Sequence, residues 1–234
     1  MVGRWPDGRP LVQAPSAACP LTDPTLNDFN YTETDKHGLM CPFGAHIRRT
    51  NPRDQVHAGR SIKDSLELSN KHRMLRRGRI YGEPVDKDFN IDNMIHHRTM
   101  QPQSTTPVTS CIGKENENAI RGLHFICLVS DIARQFEFVQ NVWANTSTFG
   151  GLCNEVDPII SPRPTPDQPD CHEFTTPQVL VRNRYLNVPE FTTVKGGAYF
   201  FMPGISALNY IVKYSMAKNA SLSQNETKIP THDS

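Results

Sequence analysis

Proline decides how much regular structure this chain can hold. The 234 residues include 19 prolines, and inside a helix or central strand each removes a backbone donor and blocks propagation. Pro6, Pro10, Pro15, Pro20 and Pro24 break up residues 1–36, and Pro158, Pro162, Pro164, Pro166, Pro169, Pro177 and Pro189 break up residues 145–190. Residues 1–36 therefore read as a linker or loop segment, and residues 37–217 as the folded domain.

Between the proline clusters, a few stretches carry strand or helix patterns. Gly122–Val129 is an apolar run too short for most helices, followed by the cap signal Ser130-Asp131. A helix over 132–143 follows, with Ile132, Phe136, Val139 and Trp143 on one core-facing stripe. His124 alternates with Leu123 and Phe125, so it faces away from them. In His72–Gly82, the residues Met74, Leu75, Ile80 and Tyr81 suit a short strand interrupted at Gly78. Its arginines are those of a solvated edge strand or of a charged, half-buried surface. Residues 54–72 read as polar loop with a helical turn. Phe191–Met202 is expected to be the last strand, stopped by Pro203-Gly204. A helix over 206–216 follows, burying Leu208, Ile211 and Val212. Residues 218–234 are polar and read as a disordered tail. This order of elements predicts an α+β fold with helices on one face of an antiparallel sheet.

Charge and composition exclude several function classes. A net charge of +1 provides no electrostatic basis for nucleic-acid binding. No run of apolar residues is long enough to span a membrane. Residues 1–15 lack the apolar core of a secretory signal. The six cysteines form no C-x-x-C pair, which argues against structural zinc. They read as free thiols in a reducing, cytoplasmic compartment.

Cys41-Pro42-Phe43-Gly44-Ala45-His46-Ile47-Arg48-Arg49-Thr50-Asn51-Pro52-Arg53 concentrates the chemistry. Cys41-Pro42 and Asn51-Pro52 restrain both ends of the segment. A histidine fixed in this way can ligate a metal or a haem iron, and nearby arginines can pair with carboxylates. It can equally be a loop histidine beside a basic patch. Glu155-Val156-Asp157-Pro158 adds two carboxylates on a rigid turn. His96 and His97 are adjacent, so they point apart and make a poor joint metal site.

Four blocks, CPFGAHIRRTNPR, HRMLRRGRIYG, RGLHFICLVSDIARQFEFVQNVWAN and FTTVKGGAYFFMPG, together resemble the dye-decolourising peroxidases. The resemblance runs from Met1 to about Ile211. It implies a ferredoxin-like antiparallel sheet of the dimeric α+β barrel type, with long loops and bound haem b (iron protoporphyrin IX). It implies His46 as proximal iron ligand, Arg76 on the distal side and Arg53 near a haem propionate. Leu123 and Phe125 would wall the distal pocket. Asp157, with Glu155 and Glu137 behind it, would hold the other imidazole nitrogen, making the ligand more basic.

The implied activity is reduction of hydrogen peroxide with oxidation of a bulky aromatic or dye-like reductant. The chain departs from the family in one respect. The family's distal aspartate sits in a G-x-x-D-G block, and the nearest string here, Gly3-Arg4-Trp5-Pro6-Asp7-Gly8, is one residue too long. The chain is therefore expected to resemble the haem-binding C-terminal half. It would act alone as a peroxidase, bind haem without turnover, be completed by a separate N-terminal half or a homo-oligomer, or serve as an interaction module.

Overall fold

The computed structural model describes residues 1–16, 18–19, 27–55, 61–82, 120–162 and 173–226. The His96–His97 pair lies outside them. Two compact units, Met1–Thr192 and Thr193–Ser234, make up the chain.

The first unit holds helices α1 (Tyr31–Thr34), α2 (His46–Thr50) and α3 (Ile62–Lys71). Strands β1 (Leu75–Arg76), β2 (Arg79–Tyr81), β3 (Gly122–His124) and β4 (Cys127–Leu128) follow. A widely wound helix, α4, covers Ala133–Glu137 and Val139–Ala144, and β5 (Phe174–Pro177) pairs with β6 (Arg182–Tyr185). The second unit holds α5 (Ile205–Glu226).

The α+β class is as expected, but the described strands form three two-stranded antiparallel ladders instead of one sheet. The β1–β4 and β2–β3 ladders share one register: Leu75 faces Leu128, Arg76 faces Cys127, and Arg79, Ile80 and Tyr81 face His124, Leu123 and Gly122. Arg77 N–H donates to Ile126 O at 2.7 Å within the gap, so the four strands make one interrupted ribbon. The expected break at Gly78 is present, and the expected strand over 122–129 is divided at Phe125-Ile126.

Helix α3 replaces the expected loop over most of 54–72. Ser61 caps it, its Oγ accepting the Asp64 N–H at 3.1 Å. Its fully buried positions are Ser65 and Ser69, so polar side chains stand where periodicity looks for apolar ones. The hairpin β5–β6 also lies where loop was expected. Only Phe174 of its residues is buried, so its sequence lacks the alternation that marks a half-buried strand.

Helix α4 occupies the predicted span but winds wider than an α-helix. Glu137 N–H donates to Ile132 O and Asn145 N–H to Gln140 O, both five residues back. Wider winding turns the expected stripe, so Val139 and Trp143 are buried while Ile132 and Phe136 are only half-buried. Val139, Trp143 and Phe149 form one core cluster with Leu68, Met74 and Phe138. Val12, Phe29, Tyr31, Cys41 and Ala45 form a second with Leu11 and Ile47.

The predicted last strand is absent. Residues 191–202 pair with no strand among the described residues and are exposed; without a ladder partner, β propensity alone does not make a strand. Helix α5 starts one residue before the expected position and continues to Glu226. Leu208, Ile211 and Val212, expected on its buried side, are exposed. No helix among the described residues is long and apolar enough to cross a membrane.

Candidate functional site

His46 is the first residue of α2, so its backbone N–H has no acceptor within the helix. It donates to Met1 O at 2.9 Å, and Ile47 N–H donates to Val2 O at 3.1 Å. Gly3 permits this approach. Its φ is +95°, and a Cβ there would lie 2.5 Å from Ile47 Cγ1, so glycine alone suits the position.

The imidazole meets a carboxylate from far along the chain. His46 Nδ1 lies 2.8 Å from Asp157 Oδ2. A carboxylate oxygen accepts hydrogen bonds, so Nδ1 is the donor of this contact and Nε2 lies at the other side of the ring. Among the described residues none bonds Nε2. The His46 side chain is 18% exposed and that of Asp157 is 0% exposed. Asp157 Oδ1 accepts the N–H groups of Ile159 and Ile160 at 2.9 and 3.1 Å. The Asp157 N–H donates to Ala144 O at 2.9 Å. Both carboxylate oxygens are thus oriented, and the turn that carries them is tied to the end of α4.

Of the three candidate carboxylates, Asp157 is the one that reaches His46. Glu155 is buried but turns to β5, accepting Thr175 N–H at 3.0 Å and the Thr175 hydroxyl. Glu137 lies within α4.

Arg48 and Arg49 form no basic surface patch, because both are fully buried. Arg48 donates to Asp35 Oδ2 at 2.9 Å and Cys41 O at 2.5 Å, and it stacks between the Tyr31 and Phe43 rings at 4.2 and 4.3 Å. Arg49 turns the other way. Its Nη1 donates to Trp143 O, Ala144 O and Thr146 O at 3.0, 3.3 and 3.0 Å, and its Nη2 to Glu155 O at 2.5 Å. Burial lowers the Arg49 pKa to about 10, against the raising influence of Asp157 and Glu155, so it remains a full charge at neutral pH. Sequence reasoning assigned these two residues no individual roles. A five-residue helix between prolines has no periodicity to show which way each points.

Arg53 adopts a left-handed conformation, φ 55°. It donates to Asn27 O, Phe29 O and Asn27 Oδ1 at 3.0, 3.1 and 2.6 Å, and stacks 3.8 Å over the Phe29 ring. Burial lowers its pKa, offset by Tyr31. Its guanidinium is thus bonded to residues 27–29.

Arg76, Leu123 and Phe125 belong to the ribbon. Side chains opposite each other in an antiparallel ladder share a face, and the faces alternate along each strand. The register therefore puts Arg76, Ile80, Leu123, Phe125 and Cys127 on one face. Arg77, Arg79 and His124 lie on the other, where the His124 ring sits 4.6 Å from that of Tyr81. Leu123 and Phe125 are 58% and 50% exposed, so the described residues form an apolar face bearing one arginine, without closing it into a pocket.

No family model matches the chain. It is 35% identical over 214 residues to the multifunctional dye peroxidase DyP2 of an Amycolatopsis strain, and the alignment covers 89% of this chain and 39% of that protein. It is 30% identical to peroxidase 2 of Mycetinis scorodonius, over 89% of this chain and 38% of the relative. The chain thus spans about two-fifths of the length of these relatives. The solved structure of Amycolatopsis DyP2 superposes with a TM-score of 0.54 at 29% identity, covering 81% of this chain and 36% of that one. A DyP-type peroxidase from Anabaena superposes with a TM-score of 0.51 at 26% identity, over 79% and 33% of the two chains. Over the stretch it spans, this chain is similar in sequence and in fold to the dye-decolorizing peroxidases.

Proposed function

We propose that this chain binds haem through His46 and contributes that site to a dye-decolorizing type peroxidase. The observation that carries the reading is the His46–Asp157 pair. It presents an imidazole with one nitrogen committed to a buried carboxylate and the other left without a described partner. That donor set would suit a ligand to haem iron, whose basicity a carboxylate on the far nitrogen would raise. The exposed apolar ribbon face, with Arg76 as its one arginine, fits the flat edge of a porphyrin.

Bound haem, of the b type in this reading, supplies the redox-active iron at which hydrogen peroxide is reduced. The residues of the chain have distinct tasks. Asp157 accepts the hydrogen bond of His46 Nδ1–H and fixes the ring's orientation. The Arg76 guanidinium would stabilise negative charge on a peroxide oxygen. Leu123 and Phe125 would exclude water, which strengthens that interaction. Arg53 would reach a propionate only by giving up some of its bonds to residues 27–29. The electron donor is a bulky aromatic compound, by analogy with the dye peroxidases the chain matches. Residues 37–217 would supply the haem-binding region, the described ladders being pieces of what would be a ferredoxin-like sheet of the dimeric α+β barrel type. A second polypeptide or a second copy of the chain would cover the open ribbon face. The free thiols of Cys19, Cys41, Cys127 and Cys153 favour a cytoplasmic setting.

The test is haem titration of purified protein, followed by peroxide-dependent oxidation of an anthraquinone dye. A histidine-ligated Soret spectrum and dye turnover above that of free haemin are expected. Loss of neither on His46→Ala would overturn the assignment. A histidine-ligated spectrum without such turnover would leave a haem-binding protein that is not a peroxidase by itself.

A further inference from the structure

Arg49 stands three residues after His46, one helical turn along α2, so both side chains project from the same side of the helix. His46 reaches the Asp157 carboxylate. Arg49 reaches the two backbone segments that hold that carboxylate, the end of α4 (Trp143, Ala144, Thr146) and Glu155, two residues before Asp157. Ala144 O is the common point, for it accepts from Arg49 Nη1 at 3.3 Å, the Asp157 N–H at 2.9 Å and Ser161 Oγ at 3.2 Å. One guanidinium thus binds the helix of the histidine, the end of α4 and the carboxylate turn into a single node.

Arg49 is completely buried, and among the described residues its Nε has no partner. A buried unbonded donor is costly and rare in native structures, and calls for an explanation beyond packing. Arg48, next in the chain and equally buried, provides the contrast. It bonds the Asp35 carboxylate, the Asp35 and Cys41 carbonyls and Gln55, none of which belongs to the carboxylate turn.

We infer that Arg49 is a positioning residue that holds Asp157 against His46 Nδ1, so that the orientation of the imidazole is set from both ends of α2. The inference gains its functional meaning from the haem reading above, but it concerns an interaction present without haem.

The experiment compares wild type, Arg49→Lys and Arg48→Lys, first without haem, by ¹⁵N-histidine NMR. The wild-type His46 Nδ1–H proton is expected downfield and protected by the carboxylate. In Arg49→Lys it should move upfield and exchange faster by about tenfold, roughly what one lost hydrogen bond is worth. Arg48→Lys should lower stability and leave that signal in place. An unchanged His46 signal in folded Arg49→Lys, or an equal change in Arg48→Lys, overturns the inference. Should Arg49→Lys fail to fold, wild-type protein decides the matter. Protons on Arg49 Nη and His46 Nδ1 should then exchange through one opening event with the same urea dependence, and unequal dependences overturn it. On haem addition, Arg49→Lys should shift the iron reduction potential relative to wild type while Arg48→Lys does not. If wild type binds no haem, the haem reading fails while the haem-free comparison still decides the role of Arg49.

Discussion

Asp157 Oδ2 sits 2.8 Å from His46 Nδ1, across 111 residues of sequence, and its second oxygen is held by the amides of Ile159 and Ile160. The pair is anchored on both sides, by the Met1 and Val2 carbonyls on α2 and by Ala144 O on the carboxylate turn.

Changing Asp157 to Asn keeps the shape and removes the charge. Haem affinity is expected to fall by about 10–100-fold, the usual cost of losing a partner that orients a metal-binding histidine. His46→Ala should abolish the histidine-ligated spectrum. Titration with haemin, followed at the Soret band, checks both. Equal affinity in Asp157→Asn and wild type would contradict the role given to the pair.

The ribbon register separates two adjacent arginines. Arg76→Ala should lower peroxide-dependent dye turnover by about 10²–10³-fold, as loss of one preorganised charge does, with the haem spectrum retained. Arg77→Ala, on the opposite face, should leave turnover near wild type. Steady-state kinetics on the haem-loaded protein distinguishes them, and an equal loss in both variants would contradict the face assignment.

Arg48 pairs with Asp35 where the two side chains are only 1% and 2% exposed. Arg48→Met would leave a buried carboxylate without its cation. A loss of about 3–5 kcal/mol in urea unfolding is expected, because breaking one side of a buried pair costs more than the pair contributes. A loss near zero would mean that Asp35 finds solvent in the variant.

Gly3→Ala tests the seat of α2. The added Cβ meets Ile47 at 2.5 Å and the backbone has φ +95°, so a cost of about 2 kcal/mol is expected. Amide exchange at His46 and Ile47 should accelerate more than in α3, because their acceptors are Met1 O and Val2 O. Unchanged exchange at those two amides would contradict the link.

Burial pushes the Cys41 thiol up from 9.0 to about 11, partly opposed by Arg48. Between those values the unfolded thiol ionises while the folded one stays protonated, so the unfolded chain is favoured as pH rises. This contribution to stability is fully present below pH 9 and should decline by roughly 2–3 kcal/mol as pH approaches 11. Burial also raises the Tyr31 pKa, adding loss at still higher pH. Thermal unfolding against pH, with Cys41→Ala as the comparison, measures the Cys41 share. The variant should show a shallower decline over that window.

Some features of the site were legible because they are local. Gly78 interrupts the arginine-rich strand, and the alternation of Leu123, His124 and Phe125 assigns their faces, as the register bears out. The candidate carboxylates could be named from one rigid turn. Other features were illegible for equally local reasons. Helix α3 hides behind buried serines, and α4 follows a winding that the 3.6-residue period does not describe. Residues 191–202 have strand-forming side chains but no partner strand among the described residues.

By itself, the sequence determined where regular elements can occur, since proline excludes them by its missing donor and fixed φ wherever it stands. It also determined that His46 lies on a segment restrained at both ends and that a carboxylate pair lies on the turn at Glu155–Asp157. Only the tertiary structure decided which carboxylate meets the imidazole and which way each arginine of α2 turns. For the imidazole and for Arg49, those outcomes depend on contacts spanning about a hundred residues. They are settled by where buried donors and acceptors find partners, because an unpaired buried charge is costly and chain closure over such distances leaves no trace in local pattern.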